Sequence, residues 1–379
     1  MSNEKVVSLA SIIPFTPLVR RLPASTPFVG PEALERQRGN RFLARIGANE
    51  SAFGISPAAR EAMIAALDQT AWYGDPENFE LRAMLAERHQ VTADAICVDA
   101  GIDSLLGLTV RMLLTPGAAV VTSLGAYPTF NYHVAGFGGQ LVTVPYLDDH
   151  EDPEGLLSAA REHHAPLIYL ANPDNPMGTW HSGHIIQSMI DRLPATTILA
   201  LDEAYAEFAP PDAVPKIDIS NPQVMRFRTF SKAWGMAGAR IGYVIAHPEL
   251  ITGLNKIRNH FAVSRIAQAG AVASLQDPGF LLQVAARVTA GRQQIYAMAA
   301  DHGLRCIESA TNFVAIDVGS PDRAAAVMNY LLNNDVFIRM PAVPPLSRCV
   351  RIGVGTPQEQ AVLSERFAAA LHATRSQAA

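Results

Sequence analysis

Seven short apolar runs, several of them separated by segments of helical spacing, fill the middle of this chain and leave few folds open to it. They are AICVDA at 95–100, AAVVTS at 118–123, QLVTVPY at 140–146, PLIYLAN at 166–172, TTILALDEAY at 196–205, VMRFRTFS at 224–231 and ARIGYVIA at 239–246. Helical spacing recurs at 103–114, 154–164 and 182–192. Apolar strands of this length with helices between them predict a mainly parallel α/β sheet, because such strands are covered on both faces. Upstream, Ser56 stands in N-cap position for a helix over 56–69, and 77–90 repeats its apolar spacing. Beyond about 275 the pattern changes to longer helices, at 279–302, 321–334 and 357–373, around strands near 311–318, 335–340 and 348–354. The expected organisation is an extended arm at 1–48, a large α/β domain over 49–275 and a smaller α+β domain over 276–379.

At 379 residues, 49% hydrophobic and 17% charged, the chain can bury a core large enough for two domains. A net charge of −5 without a long basic run argues against nucleic-acid or anionic-membrane binding as the main activity. The most basic stretch, RQRGNRFLAR at 36–45, reads as a solvated or interface segment. Cys97, Cys306 and Cys349 are odd in number, far apart and without CxxC spacing, which predicts neither a disulfide framework nor a thiolate metal site and suits a reducing cytoplasm. The opening MSNEKVVSLASIIPF lacks a clear cleavage region, and no span reaches about 18 apolar residues, so neither export nor membrane insertion is expected. His181 and His184 have HxxH spacing with no third ligand at a recognisable distance, and surface or capping roles are expected in place of a metal. GFGG at 136–139 is a turn, not a GxGxxG fingerprint, which disfavours a nicotinamide cofactor.

The chemistry concentrates around Lys232, inside TFSKAWGMAGARIGY at 229–243 and eight residues before Arg240. A lysine there can hold an aldehyde cofactor as a Schiff base while Thr229, Ser231 and Arg240 grip a phosphate, a layout that suggests pyridoxal phosphate. Such a cofactor needs further partners, and candidates occur where loops leave strand C-termini. Asp202 ends the run TTILALD and can keep a pyridine nitrogen protonated, or it caps a loop with Glu203. Tyr205 and Asn175 can serve a phenolic oxygen; equally, Tyr205 is a semi-buried ring and Asn175 part of the turn ANPDNPMG at 171–178. Gly101, Ile102 and Asp103 open a helix whose backbone N–H groups favour phosphate, unless Asp103 is only an N-cap. Tyr127 can stack on a pyridine face or fill a core. Tyr73, in a polar connection, can offer its hydroxyl to a phosphate across a dimer interface. Arg351 interrupts the apolar CVRIGVGTP at 349–357; it forms an internal salt bridge or a fork for a substrate carboxylate. Arg339 is a weaker analogue.

Taken together, TFSKAWGMAGARIGY, ANPDNPMG, DEAYAEF and VRIGVGTP, in this order over about residues 45–360, resemble the class I/II, fold-type I pyridoxal-phosphate aminotransferases, most closely the histidinol-phosphate aminotransferase branch. The resemblance implies that Lys232 is the Schiff-base lysine and proton shuttle, Asp202 the partner of the pyridine nitrogen, and Asn175 and Tyr205 the holders of the phenolic oxygen. It places Tyr127 on the ring, and Gly101, Ile102, Asp103, Thr229, Ser231 and Arg240 around the phosphate. Tyr73 looks like the tyrosine lent to a neighbouring subunit, which implies a homodimer with shared active sites. Arg351 resembles the α-carboxylate anchor. ANESAFG at 48–54 resembles the family's ANENPFG, placing Asn49 and Glu50 at the entrance. Phe28 stands where this branch often has a tyrosine that binds substrate phosphate, Ser51-Ala52 replaces Asn-Pro, and RMPAVPPLSRC at 339–349 is proline-rich.

The reaction so implied is ping-pong transfer of an amino group between an amino acid, or an amino-acid-like amine, and a 2-oxo acid. A decarboxylase or cyclase resembling threonine-phosphate decarboxylase is the rival on the same scaffold. A DNA-binding regulator needs a basic reading module that the arm does not supply. Histidinol phosphate, an aromatic amino acid and another small amino acid all stay open as the donor.

Overall fold

The computed structural model describes residues 13–24 and 29–374. All seven apolar runs contain strands of one sheet: β2 (Ile96–Asp99), β3 (Ala119–Ser123), β4 (Gln140–Val144), β5 (Leu167–Ala171), β6 (Ile198–Asp202), β7 (Val224–Thr229) and β8 (Gly242–Ala246), numbered after a short β1 (Ala44–Arg45). The sheet order is β2-β8-β7-β6-β5-β3-β4. Only β8 runs antiparallel to its neighbours; the other pairs are parallel. Every residue of β5, β7 and β8 is buried, which is why these runs show no polar alternation.

Alternate residues of β5 feed two separate cores. Leu167, Tyr169 and Ala171 pack with Leu105, Leu106 and Val110, whereas Ile168 and Leu170 pack with Leu156, Leu157, Ile186 and Met189. Phe130 stacks on Tyr169 at 4.5 Å between ring centres, on the first of these faces. Two helices there escaped the sequence reading, Pro128–Gly136 and Pro248–Asn255; each starts at a proline whose fixed φ suits a first turn.

A second, antiparallel sheet has the order β12-β10-β9, from β9 (Arg305–Cys306), β10 (Phe313–Asp317) and β12 (Cys349–Gly353). It is accompanied by helices Pro278–Asp301, Pro321–Asn333 and Pro357–Ala373, the last opened by a capping box of Thr356 and Glu359. β11 (Val336–Phe337) pairs in parallel with β1, so the end of the arm is tied to the later part of the chain. The arm is less extended than its sequence suggests: Pro17–Arg21 and Pro31–Arg38 are helical. In the second, only Pro31 is buried, so no apolar stripe announces it. Two arginines of the basic stretch at 36–45 are paired, Arg38 with Asp335 and Arg45 with Glu32 of this helix.

The site is prepared by one topological detail. β4 lies on one side of β3 and β5 on the other, and β3 and β5 stay in register only at Val120↔Leu167 and Val121↔Ile168. Past that point they diverge, opening a crevice at the C-terminal edge of the sheet where ligands of open α/β folds bind. Among the described residues, no helix is long and apolar enough to cross a membrane.

Candidate active site

Lys232 lies three residues past the end of β7, and its Nζ donates to the carbonyl of Asn49 at 3.1 Å and sits 5.6 Å from the Tyr205 ring centre. Burial, reinforced by the Arg351 charge and opposed by Glu50, lowers its proton affinity to about 8. Asp202 ends β6, buried; its carboxylate accepts from the Tyr169 hydroxyl at 2.8 Å and from the Ala204 N–H at 2.9 Å. Burial raises its pKa to about 6, and those two donors hold it from rising further. Glu203 does not share a loop-capping role with it. It is buried in ion pairs with Arg226 and Arg228, the latter at 2.8 Å.

Tyr205 accepts from Nδ2 of Asn49 at 2.9 Å. Asn49 is itself buried in left-handed backbone (φ 56°), and its Oδ1 has no partner among the described residues. Asn312, which the sequence reading did not single out, fixes this entrance turn by donating to the carbonyls of Asn49 and Glu50 at 3.2 and 3.1 Å.

Gly101, at φ 88°, caps the helix Ile102–Leu113. A Cβ at 101 would come within 2.5 Å of Nη2 of Arg240, so the glycine is what lets the guanidinium approach this helix N-terminus. Arg240, itself at φ 54°, donates to Ser231 Oγ at 3.5 Å and to the Ala237 carbonyl at 3.0 Å. Thr229 Oγ1 accepts from the Ser231 N–H at 3.0 Å. The Tyr127 hydroxyl donates to Oδ1 of Asp103 at 2.9 Å, which orients its ring beside the same helix start; burial and then Asp103 push its phenol pKa up.

Arg351, on β12, donates through Nη1 to Oδ1 of Asn175 at 2.5 Å and through Nη2 to the Gly47 carbonyl at 3.2 Å. No carboxylate pairs with it among the described residues, and its Nε is buried without a partner. The internal salt bridge is therefore not its role. Burial lowers its pKa to about 10. Arg339 pairs with Arg351 through the backbone, while its side chain lies over Phe337 and donates to the Val29 carbonyl at 2.7 Å. Phe28 lies outside the described residues. Tyr73 is 76% exposed, its ring tilted by 33° against that of Phe261 with 4.6 Å between ring centres.

The sequence reading missed Tyr169, the hydroxyl on Asp202. It sits inside an apolar run, and only the register that sets Tyr169 beside Ala200, two residues before Asp202, shows that both side chains share a face.

A mainly parallel sheet of this order, with a second antiparallel unit and a lysine, an aspartate and an arginine gathered at its carboxyl edge, is the architecture of the fold-type I transferases. The chain belongs to the aminotransferase class I and II family, whose profile matches residues 44–367. It is 34% identical over 352 residues to histidinol-phosphate aminotransferase 2 of Nitrosospira multiformis, covering 91% of this chain and 89% of that one. The crystal structure of histidinol-phosphate aminotransferase from Sinorhizobium meliloti, in complex with pyridoxal-5'-phosphate, is 51% identical and superposes with a TM-score of 0.92, over 96% of this chain and 98% of that one. Aspartate aminotransferase from Thermus thermophilus, at 21% identity and a TM-score of 0.81 over 94% of this chain and 99% of that one, shares the fold. The protein is an aminotransferase, and the decarboxylase or cyclase reading is not favoured.

Proposed function

We propose that this enzyme uses pyridoxal 5'-phosphate to pass an amino group between an amino acid, or an amino-acid-like amine, and a 2-oxo acid, with histidinol phosphate the first donor to test. The observation that carries the reading is one strand edge that gathers an amine of lowered proton affinity, Lys232, and the buried carboxylate of Asp202. The names of its relatives support the choice of donor.

The residues suit that cofactor. The Gly101 helix start, Arg240, Ser231 and Thr229 form a cradle for a phosphate dianion, and the cradle exists only because position 101 carries no Cβ. When bound, the cofactor supplies an aldehyde that captures amines and a ring that accepts electrons from bonds to the captured carbon. Asp202 would hold a proton on the ring nitrogen by its charge, and the Tyr169 hydroxyl orients that carboxylate and favours its ionised form. Tyr127 would offer its ring to the cofactor, and Tyr205 and the amide of Asn175 would serve its phenolic oxygen. Lys232 would hold the cofactor aldehyde through its Nζ, and the same amine would serve as the base for the substrate Cα proton. A buried amine is a base at neutral pH because desolvation makes its neutral form accessible. Arg351 forks a substrate carboxylate, with Asn49 and Arg339 on the substrate side.

The working form is a homodimer that lends Tyr73 to its partner's phosphate site; Trp72, Tyr73, Phe79 and Phe261 are each at least half exposed in the single chain, an apolar surface that a second copy covers. The chain divides into an arm at 1–48, a cofactor domain at 49–275 and a small domain at 276–379, in keeping with two sheets that fall within 96–246 and 305–353. Three free cysteines suit a cytoplasmic setting.

Borohydride reduction of the purified enzyme followed by peptide mass mapping is expected to place the cofactor mass on Lys232. Single amines added without an acceptor are then expected to convert the cofactor spectrum, histidinol phosphate and glutamate foremost. Carbon dioxide release, or no amino transfer from any donor, would overturn the proposal.

A further inference from the structure

Two carboxyl groups that the mechanism does not use are buried beside the turn that carries Asn175. Glu151 follows the tight Leu147–His150 bridge after β4 and is 2% exposed. It reaches into the gap where β3 and β5 part. There it accepts from Ser123 Oγ at 2.6 Å, at the end of β3, and from the Ala171 N–H at 2.9 Å, at the end of β5. Its carboxyl thus supplies hydrogen bonds that the ladder can no longer give. Asp174, also 2% exposed, lies three residues past β5 and accepts from the Tyr146 hydroxyl at 2.8 Å and the Met177 N–H at 2.9 Å.

Among the described residues no ion pair reaches either carboxyl, although the Arg351 and His150 charges act on Asp174 from further away. The nearby arginines, Arg305 and Arg348, bind Asp149 instead, at 2.9 and 2.6 Å. His181 meets Glu151 only at the backbone carbonyl, 2.7 Å away, and burial disfavours its charged form. His150 bonds the Asp148 carbonyl and packs near the His181 ring. Two neighbouring carboxyl groups, each 2% exposed, do not both ionise readily, since each charge is desolvated and each repels the other. Burial and the Asp174 charge push Glu151 well above the usual range, while Asp174, at about 6, is held lower by its donors.

We infer that Glu151 stays protonated and donates to Asp174, and that this shared proton clamps the 172–178 turn so that Asn175 faces Arg351. Glu151 and Asp174 are positioning residues: they touch neither reacting atom. The chain of contacts runs from the strand ends through Glu151 to Asp174, along the backbone to Asn175, and so to the Arg351 guanidinium. The inference rests on Asn175 and Arg351 lying in the active site; the proton itself is tested independently of that.

Infrared difference spectra of the holoenzyme between wild type and Glu151→Gln are expected to show one protonated-carboxyl stretch that the variant lacks. The glutamine keeps a donor toward Asp174, so kcat and KM for the amino donor are expected to stay within about threefold of wild type. Glu151→Ala removes it, and KM for a carboxylate-bearing donor is expected to rise about tenfold, with cofactor content unchanged and kcat less affected. Absence of the band would overturn the shared proton, and wild-type KM in Glu151→Ala would overturn the clamp. If Glu151→Ala does not fold, a Glu151→Gln variant that keeps the band, or that loses activity like a deletion, sinks the proposal just as well. If the enzyme proves not to transfer amino groups at all, the infrared band still decides whether the proton is shared.

Discussion

Arg351 and Asn175 form the tightest link between the two sheets at the site: Nη1 of the arginine donates to Oδ1 of the asparagine at 2.5 Å, and Nη2 reaches the Gly47 carbonyl. The bond leaves the asparagine amide free to turn toward a cofactor oxygen. It also fixes the fork without neutralising it, because an amide oxygen carries no net charge. A partly buried guanidinium that no carboxylate pairs with among the described residues is costly and prepared for an anion.

Arg351→Ala is therefore expected to weaken substrates that carry a carboxylate by about 1.5–3 kcal/mol, the range of charge-assisted hydrogen bonds, or roughly 10- to 100-fold in KM. Steady-state kinetics with glutamate and with an amine lacking the carboxylate separate the two cases. Equal losses for both would show that the arginine only supports the fold.

Tyr169→Phe removes a donor to Asp202, so the Asp202 pKa is expected to rise above its present value of about 6. The carboxylate is the active form, and activity is lost as pH falls through that pKa. The acid limb of the pH–rate profile is expected to move to higher pH, so that for a change near one pKa unit the rate falls about tenfold at pH values below the limb and little above it. An unmoved limb would disconnect the two residues.

Lys232→Met is expected to stabilise the cofactor-free protein. The folded amine titrates near 8, below its ordinary 10.5, so between these values the unfolded chain holds a proton that the folded chain lacks. Wild-type stability accordingly rises with pH through that window and carries its full penalty below pH 8. The variant's advantage, about 1–3 kcal/mol, is expected to be constant below pH 8 and to shrink toward pH 10.5, as denaturant melts at several pH values would show. A margin that does not change with pH would point to packing instead.

Gly101→Ala puts a Cβ at φ 88° and within 2.5 Å of Arg240 Nη2. Backbone strain of about 1–2 kcal/mol and displacement of the arginine are expected together, and cofactor affinity should fall more than stability does. Titration of the apoenzyme with pyridoxal phosphate alongside thermal melts distinguishes them; loss of stability alone would remove Arg240 from the phosphate site.

What the sequence determined was local. Buried runs without polar alternation mark strands wherever both faces are covered, and Asp202 at the end of one, with Gly101, Tyr127, Asn175 and Lys232 a few residues past others, follow from where such strands end. The antiparallel direction of β8 was not legible, since an apolar run has no sign, and the Pro31–Arg38 helix was hidden because almost none of it is buried. Tertiary structure decided the pairings: Tyr169 on Asp202, Arg351 on Asn175, Asn312 beneath Asn49, and Glu151 in the gap between β3 and β5. Each joins positions between 20 and 263 residues apart, and hydrogen bonds across such distances depend on register and crossover, which no periodicity along the chain encodes.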